Sequence, residues 1–427
     1  MLSLILSLVF VLLMCLRVPV YFAIGLSTLI PLILLGKDLA LIPQYMLDGV
    51  HSVPLLAMPF FIIAGNLFDS MGLSRRIWDF AHHLVGHWRG GLGHVLTVAE
   101  MILSGISGSA LADEAALGLI AIPEMEKAGY RRTFAAALTL SVAVLGPIIP
   151  PSINMIIYGV QAEVSIARLF IGGIVPGIVI GGCIMGMIYY LAVKGIEPCP
   201  VQPRKSFPQI ARSFYRNFPT LMAPVIIILG MGVGVVTPTE AGLLASVYSL
   251  FLGLIYREAT WKKLNGCLKS SFKSTALIMY VIAVSTVAAW IYTYEGTSQK
   301  VAELILHLTT NKYIVLFLIN VFLLMLGCLL EPIPALILTT PIFLPVIKQL
   351  GVDPVHFGLI ICFNITIGIM LPPIGIGLYV MVGIVDIKLE DLVKACLPFF
   401  IPLLISLLLV TYIPELTTFL PNLIFGK

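Results

Sequence analysis

LGPIIPPSINM at residues 145–155 and IGIMLPPIGIG at residues 367–377 decide the fold of this chain. Each stretch places a glycine four residues before a Pro-Pro pair inside an apolar segment. Proline has no amide hydrogen, so the first proline of each pair leaves the carbonyl of Gly146 or Gly368 without its helical donor. The pattern therefore predicts a helix that is interrupted at the same point in two parts of the chain.

The two stretches belong to an internal repeat with one fixed offset of 222 residues. At this offset seven glycine and proline positions coincide without a gap, among them Gly105 with Gly327 and Pro123 with Pro345. Each copy holds five predicted crossings, an odd number, so the two copies must face opposite ways. We therefore predict two inverted-topology repeats.

Composition places the chain in a membrane. Of its 427 residues 59% are hydrophobic and 11% charged, with a mean hydropathy of +1.06, whereas about a quarter of a soluble domain is charged. Apolar runs of 15 to 25 residues favour a helical bundle over an outer-membrane barrel. Single-pass receptors and large extramembrane catalytic domains are excluded. The seven cysteines form no C-x-x-C pair, so neither a disulfide framework nor a zinc site is indicated.

The repeat sets the predicted organisation of the chain. The first repeat, 1–195, is predicted to hold scaffold spans at 2–36 and 55–71, an arm helix at 74–88, a re-entrant hairpin at 93–127, a broken helix at 132–161 and a last span at 165–194. A basic cytoplasmic linker at 196–217 leads to the second repeat, 218–427, with the same elements at 218–256, 274–294, 297–310, 313–350, 354–385 and 389–413. The hairpin arms are predicted to be half-length, with tips at 107–109 and 331–334.

The distribution of basic residues predicts the orientation. With the N-terminus outside, 19 of the 25 lysines and arginines fall in cytoplasmic segments, Arg17 among them. The six others are Lys37, Arg168, Lys300, Lys312, Lys348 and Lys427. The positive-inside rule favours this topology, with both termini periplasmic in a bacterial inner membrane. These loops account for the net charge of +4, so no nucleic-acid partner is expected.

The interrupted helices predict a polar pocket in the bilayer. Unpaired carbonyls are costly in lipid, so they are expected to line a cavity and coordinate a small cation, while helix N-termini attract an anion. Hydroxyls of Ser104, Ser107 and Ser109 lie at the first tip, and Thr366 and Asn364 lie beside the second break. Hard oxygen ligands without a dedicated carboxylate suit sodium. The alternative left open is that the prolines only kink helices and the small residues only allow close packing.

The acidic residues near the tips have several interpretations. Asp113 and Glu114 lie at the start of the returning helix and are interpreted as partners of the helix dipole rather than proton carriers. Ser109 is a candidate N-cap of that helix. Glu331 lies at an apolar tip, where an acid must be wet or paired.

Four stretches together resemble the large membrane subunit of the tripartite ATP-independent periplasmic (TRAP) transporters: LSGISGSALADEAALG at 103–118, GPIIPPSI at 146–153, VTPTEAG at 236–242 and LPPIGIG at 371–377. The resemblance covers essentially the whole chain. It implies no enzymatic activity, but sodium-coupled import of an organic acid anion by an elevator mechanism. Sialic acid, a dicarboxylate, a keto acid or a sugar acid are all candidate substrates. The implied partners are a small four-helix membrane subunit and a soluble periplasmic substrate-binding protein.

The resemblance also assigns residues. It implies two sodium sites and a substrate position between the tips. The first sodium site would use Ser104, Ser107, Gly146 and Pro150, the second Gly327, Thr366, Gly368 and Met370, and the substrate would lie near Ser109, Asn154 and Asn364. The family usually has threonine where this chain has Leu371, so backbone carbonyls would carry more of the second site.

Two other functions are compatible with parts of the sequence. The chain could be a stand-alone sodium- or proton-coupled anion carrier. A remote alternative is an intramembrane serine protease, because residues 105–108 fit G-x-S-G with Ser107 as nucleophile. Such a serine needs a neighbouring base, and no histidine is predicted at the centre of an apolar span.

Overall fold

Helices make up all the regular structure of the described residues. The structure, a computed structural model, describes residues 2–16 and 18–426, with the backbone alone at Leu306. This part of the chain contains 20 α-helices and one short 3-10 helix. Seven helical segments are long and apolar enough to cross a membrane: Val53–Ser70, Ile166–Val193, Phe207–Gly232, Pro238–Ile255, Trp261–Tyr294, Pro332–Gln349 and Leu389–Tyr412. The prediction of an all-α polytopic membrane protein is confirmed.

Ten helices precede the linker. They are α1 (Leu2–Cys15), α2 (Val20–Leu34), α3 (Leu41–Val50), α4 (Ala57–Ser70), α5 (Leu73–Val85), α6 (Leu92–Ser107), α7 (Ala110–Lys127), α8 (Arg132–Ala143), α9 (Ile153–Ala162) and α10 (Ile166–Val193). With 14 and 15 residues, α1 and α2 are each only about 21–22 Å long, shorter than a hydrocarbon core of ~30 Å. Arg17 and Lys427, two of the residues used for orientation, lie outside the described residues.

Ten helices follow the linker. They are α11 (Phe207–Gly232), α12 (Pro238–Ile255), α13 (Trp261–Tyr294), α14 (Thr297–Leu308), α15 (Lys312–Gly327), α16 (Pro332–Gln349), α17 (Pro354–Gly368), α18 (Ile376–Val385), α19 (Leu389–Tyr412) and α20 (Glu415–Phe425). The last of these was not predicted, because the sequence assignment stops at 413. It is fixed to the core by Arg168, whose Nη2 donates to Asn422 Oδ1 at 2.7 Å.

The helix α13 differs from the prediction. The sequence suggests an amphipathic stretch followed by a separate span at 274–294, whereas the structure has one helix of 34 residues. In the first half the corresponding region is divided into α3, the 3-10 helix Val53–Leu56 and α4. Pro54 explains the division, because it lacks an amide hydrogen and disfavours helical backbone at the residue before it. No proline occurs between 261 and 294, so the second copy stays continuous.

The two hairpins have matching arms. The helices α6 and α15 each have 16 residues, and α7 and α16 each have 18. Eighteen residues span about 27 Å, so both returning arms are longer than the predicted half-length helices. Of the two, only α16 is also apolar enough to cross a membrane. The internal prolines Pro123, Pro341 and Pro345 do not end these helices, since packing neighbours can compensate for the lost hydrogen bonds. Re-entry and the inverted relation of the copies stay predictions.

The broken helices form the centre of the molecule. Helical structure stops at 144–152 between α8 and α9, and at 369–375 between α17 and α18. Every residue from Phe134 to Ala143 and from Val355 to Gly368 is buried. The returning arm of each hairpin packs against these broken helices. The helix α7 packs against α8 and α18, and α16 packs against α9 and α17. Each hairpin therefore contacts the broken helices of both halves.

Two glycines let α15 and α17 meet backbone to backbone. A Cβ atom on Gly368 would lie 2.3 Å from the carbonyl carbon of Gly327. We expect Gly368→Ala to lower the free energy of unfolding by about 1–3 kcal/mol or more, because the backbones would have to separate. Thermal unfolding of the purified protein measures this.

The matched control is Gly186→Ala in α10, where a Cβ would meet no atom within 4 Å. This substitution should leave the melting temperature unchanged or raise it, because alanine is the better helix former. Equal melting temperatures for Gly368→Ala and the unmodified protein would contradict the close contact.

Candidate functional site

The first hairpin tip closes directly onto the first Pro-Pro break. The amide of Ile153 donates to the carbonyl of Gly108 at 3.3 Å. Gly108 has φ +63°, and a Cβ there would lie 2.4 Å from the carbonyl oxygen of Pro151. Only glycine permits both this backbone conformation and this approach. The tip and the break therefore form one structural unit.

The two proline pairs together remove the helical donors of four carbonyls, those of Gly146, Pro147, Gly368 and Ile369, and the structure supplies other donors to three of them. At the first break Ser152 Oγ donates to the carbonyl of Pro147 at 2.7 Å, replacing the donor that Pro151 cannot supply. At the second break Leu371 N donates to Gly368 O at 3.0 Å and Gly377 N to Ile369 O at 3.1 Å. These three carbonyls are satisfied because the chain turns back on itself at each break.

The carbonyl of Gly146 is the exception. Among the described residues no hydrogen-bond donor reaches it, and all residues from 144 to 152 are buried. A Cβ on Gly146 would lie 2.6 Å from Asp113 Oδ2 and 3.2 Å from the amide nitrogen of Ala110. The open carbonyl thus belongs to a glycine packed against the start of α7 and its carboxylate.

Two carboxylates lie beside the predicted serine ligands. Ser107 Oγ donates to Asp113 Oδ1. Ser104 Oγ is within hydrogen-bond distance of the Glu100 carbonyl, at 2.8 Å, and of Glu100 Oε1, at 3.0 Å. Glu100 and Asp113 are buried and adjoin one another. The expectation of a site without carboxylates is therefore wrong at the first tip.

These carboxylates are not neutralised by basic side chains. Within residues 2–16 and 18–426, no lysine, arginine or histidine nitrogen lies within 4.0 Å of a carboxylate oxygen of Glu100, Asp113 or Glu114. Glu100 Oε2 and Asp113 Oδ2 also lack hydrogen-bond partners. No group of three or more His, Cys, Asp or Glu side chains suited to a metal is found in this part of the chain. The first tip instead brings together hydroxyl, carbonyl and carboxylate oxygens, the ligand types that hard cations prefer.

Ser109 occupies the N-cap position of α7 but does not cap it with its side chain. Its carbonyl accepts from Asp113 N at 3.0 Å, and its amide lies 3.4 Å from Ser107 Oγ. The hydroxyl is therefore left for another partner at a partly buried position. The predicted N-cap interaction is absent from the described contacts, while the proximity of Ser107, Ser109 and Asp113 emerges from the fold.

The second break is arranged differently. Gly327 and Gly368 are in backbone contact, Met370 is buried, and Thr366 Oγ1 donates to the carbonyl of Cys362 at 2.7 Å. Pro372 and Pro373 are exposed, whereas the first Pro-Pro pair is buried. Of the four residues assigned to a second cation site, Thr366 and Gly368 have oxygens that are already engaged in hydrogen bonds.

The predicted substrate residues divide into two groups. Asn154 on α9 lies with its Nδ2 3.5 Å from Thr366 Oγ1, so the two broken helices meet at these side chains. Asn364 points elsewhere and donates to Asn320 on α15, at 2.9 Å to Oδ1 and 3.1 Å to the carbonyl. Asn320 in turn donates to Thr411 at 2.9 Å. The sequence analysis did not include Asn320, although a lone asparagine in an apolar helix is a usable signal.

Glu114 is the least compensated polar group near the site. It is buried, and neither carboxylate oxygen has a hydrogen-bond partner. A Cβ on Gly377 would lie 3.1 Å from Glu114 Oε2, so the carboxylate reaches the N-terminal turn of α18 across the two halves. Its interpretation as a partner of its own helix dipole is replaced by proximity to the start of a different helix.

Ser107 lacks the surroundings of a nucleophile. Its hydroxyl bonds to a carboxylate rather than to an imidazole. The buried histidines are engaged elsewhere, since His94 bonds the carbonyl of Arg89 at 2.7 Å and His356 bonds Thr417 at 2.7 Å. Within the described residues the serine-protease alternative therefore has no histidine base at its proposed serine.

Comparison with known proteins identifies the family. The family described as tripartite ATP-independent periplasmic transporter, DctM component, matches residues 7–416. The chain is 40% identical over 385 residues to the sialic acid TRAP transporter large permease protein SiaM of Vibrio cholerae, covering 90% of each chain. It is 37% identical over 380 residues to the 2,3-diketo-L-gulonate TRAP transporter large permease protein YiaN of Escherichia coli, covering 89% of each. The C4-dicarboxylate TRAP transporter large permease protein DctM of Pseudomonas aeruginosa is 36% identical over 402 residues, with 94% coverage of each.

The fold is similar to that of solved membrane transporters. The YdaH transporter of Alcanivorax borkumensis superposes with a TM-score of 0.65 at 14% identity, covering 95% of this chain and 97% of that one. At this identity the similarity shows the fold alone.

The unpaired state of Glu114 generates a test of stability. We expect Glu114→Gln to leave the melting temperature unchanged or to raise it, because it removes an uncompensated buried charge. Glu197→Gln is the contrasting variant, since Glu197 is buried and ion-paired with Arg131, whose pKa it raises by hydrogen bonding. That change should cost roughly 1–2 kcal/mol, allowing for the exposure of Arg131.

Thermal unfolding of both purified variants shows whether Glu114 behaves as an unpaired carboxylate or, like Glu197, as a paired one. A loss for Glu114→Gln as large as that for Glu197→Gln would show that Glu114 has a stabilising partner.

Proposed function

The chain belongs to the DctM component family of the tripartite ATP-independent periplasmic transporters, and from this premise we propose that it imports an organic acid anion coupled to sodium. It is the large permease subunit of an inner-membrane transporter, not an enzyme. Members of this family work with a small membrane subunit and a periplasmic binding protein. Sodium coupling, the substrate and the mechanism are the parts that we propose.

The observation that supports sodium coupling is the pair of uncompensated carboxylates at the first tip. A buried negative charge is expensive unless a cation or a proton neutralises it. Asp113 and Glu100 adjoin each other, each has an oxygen without a partner, and the open Gly146 carbonyl lies beside Asp113. The two carboxylates can be neutralised by a proton or by a cation, whereas the hydroxyl and carbonyl oxygens beside them can only ligate a cation. We therefore propose sodium as the coupling ion.

We propose that the first sodium site comprises the Ser104 and Ser107 hydroxyls, the Gly146 carbonyl and the Asp113 carboxylate. Pro150 acts indirectly, because it removes the amide hydrogen that would otherwise bond to Gly146. Sodium would join the hairpin tip to the break, since these donors come from α6, α7 and the segment between α8 and α9. Binding of the ion then orders the tip.

A second sodium site is proposed around Thr366. Gly327, Gly368 and Met370 surround it, and the Thr366 hydroxyl and nearby peptide oxygens would supply the ligands. Because the Gly368 and Ile369 carbonyls accept backbone hydrogen bonds, this site needs a local rearrangement of the turn at 369–375. Leu371 contributes no side-chain oxygen.

The substrate is proposed to bind between the tips. Asn154 lies where the two broken helices meet, and the N-termini of α7 and α9 begin at the tip and the break. Helix N-termini carry partial positive charge and bind carboxylates. An organic acid anion, such as a sialic acid, a dicarboxylate, a keto acid or a sugar acid, suits this environment. The Ser109 hydroxyl adds a donor, whereas Asn364 contributes through its contact with Asn320.

The proposed mechanism is elevator movement of the hairpins and broken helices past a scaffold. The scaffold consists of α1, α2, α4 and α11–α13, with α5 and α14 as arms. The moving part and the scaffold touch through small residues, so their side chains do not interdigitate and sliding is easier. A Cβ on Gly105 would lie 2.5 Å from Pro224 Cβ, and one on Gly65 would lie 3.2 Å from Ser107 Cα. Both termini are proposed to be periplasmic.

The first sodium site is tested by uptake at varied sodium concentration. We expect Asp113→Asn to raise the sodium concentration for half-maximal uptake roughly tenfold or more, because a charged ligand is lost. Ser107→Ala should raise it several-fold. The control is Ser141→Ala, a buried serine of α8 that donates only to its own helix at Ala137, and it should behave as the unmodified protein.

Unchanged sodium dependence of Asp113→Asn would refute the site. Uptake driven by a pH gradient in the absence of sodium would favour the proton-coupled alternative instead.

The requirement for partners is tested in proteoliposomes. We expect uptake only when the chain is reconstituted with its small membrane subunit and supplied with the substrate-loaded binding protein, as in other members of the family. The readout is accumulation of labelled substrate under a sodium gradient. Robust uptake by this chain alone would establish a stand-alone carrier.

A further inference from the structure

A basic cavity of about 660 Å³ lies far from the breaks, between the arm helix α5, the start of α11 and the loop before α13. We refer to it as the basic cavity. It is lined mainly by Arg75, Arg76, Lys205, Arg212, Arg216 and Asn217. Neither the first-tip site nor the proposed substrate position uses it. Its chemistry therefore requires a separate explanation.

The basic cavity carries excess positive charge. Five of its lining residues are lysine or arginine, against two acids, Asp79 and Glu258. Glu258 is already paired with Lys263 at 2.6 Å. Over the described part of the chain, Arg76, Lys205, Arg212 and Arg216 have no carboxylate oxygen within 4.0 Å. A concave surface with this charge attracts anions, and guanidinium groups bind phosphate oxygens in a bidentate manner.

Two of the arginines that line the basic cavity lie on one face of α11, and a third comes from α5. Arg212 and Arg216 are four residues apart, so they project from neighbouring turns of the same helix face. Arg76 comes from α5, and its guanidinium carbon lies 3.6 Å from the ring centroid of Tyr256, a cation–π contact that holds it towards the cavity. The arginines therefore approach from two helices rather than forming a run on one surface.

Exposed aromatic side chains lie on the opposite flank of α11 from its two arginines. Phe214 is edge-on to Phe218 of the same helix and also contacts Phe80 of α5. Phe214 and Phe218 are 37% and 41% exposed, and the exposed apolar face of α11 continues through Val225 and Leu229. Each phenylalanine follows an arginine by two residues, about 200° around the helix, so α11 presents arginines to the basic cavity and apolar side chains to the lipid. The basic cavity therefore lies beside a lipid-facing helix, where a ligand with a phosphate at one end and hydrocarbon at the other fits.

We propose that the basic cavity binds the phosphate headgroup of an anionic phospholipid whose acyl chains extend into the adjoining bilayer. Clustered Lys and Arg between helices at the membrane surface bind such headgroups. The lipid would hold α5 to α11. Because α5 also packs against α6 and α7 of the first hairpin, the headgroup lies at a junction between arm, scaffold and hairpin.

The test is native mass spectrometry of the full-length chain in detergent, titrated with phosphatidylglycerol or phosphatidylcholine. We expect a preference for phosphatidylglycerol that the double substitution R212Q/R216Q weakens roughly tenfold or more. The variant R212K/R216K keeps the charge and should retain most of the binding. The control K269Q/K273Q removes two exposed cations with the same spacing from α13, outside the basic cavity, and should bind as the unmodified chain.

The proposal would be overturned if R212Q/R216Q and K269Q/K273Q lost phosphatidylglycerol binding equally, or if neither variant lost any. Inorganic phosphate is included as a competitor: displacement of lipid by phosphate, with no preference between the two lipids, would assign the site to a soluble phosphate compound. Loss of co-purification with the small subunit in R212Q/R216Q, with lipid selectivity unchanged, would make the basic cavity a subunit interface.

Discussion

Backbone hydrogen bonding in a bilayer is the constraint on which the structure depends. Within hydrocarbon no water replaces a missing donor, so each interrupted helix must find partners inside the protein. At the first Pro-Pro break the Ser152 hydroxyl meets this requirement for one carbonyl, and at the second break the amides of Leu371 and Gly377 meet it for two. The carbonyl of Gly146 is left over. Of the four carbonyls that the prolines deprive of a helical donor, the one left open is buried and lies beside the Asp113 carboxylate.

Hydrogen bonding and charge reinforce each other at that point. Asp113 and Glu100 use one oxygen each on a serine hydroxyl, and the remaining oxygens have no partner. Hydroxyl donors lower the cost of burying the carboxylates, but they do not neutralise them. An ion that enters therefore gains both the electrostatic attraction and the open carbonyl. The carboxylates and the open carbonyl thus make binding of the proposed ion depend on the backbone geometry of the break.

The sequence predicted the architecture well because its signals are local. Glycine and proline positions locate both breaks and the first tip, and apolar run lengths show the membrane class. The second connection lies at 328–331 rather than at the predicted 331–334, because Pro332 begins the helix α16 instead of interrupting it. The partners of the freed carbonyls could not be predicted, since they depend on how the chain turns after each proline. The roles of Glu100 and Glu114 were also missed, because helical spacing gives no information about contacts between elements far apart in the chain. The helix α20 escaped notice since its sequence is short and mixed in polarity.

The two copies of the repeat have diverged at the place where their function is expected to reside. In the first copy the tip carries hydroxyls and carboxylates around a buried break. In the second, Gly327 and Gly368 bring two backbones into contact, the Gly368 and Ile369 carbonyls accept backbone hydrogen bonds, and Pro372 is exposed. A backbone contact this close offers little room for an ion unless the turn at 369–375 rearranges, as the proposed second site requires. We therefore propose that the first copy binds its cation without such a rearrangement, whereas in the second copy the turn has to loosen. Coupling between the ion and movement of the substrate site would then run through Asn154 and Thr366, where the two broken helices meet.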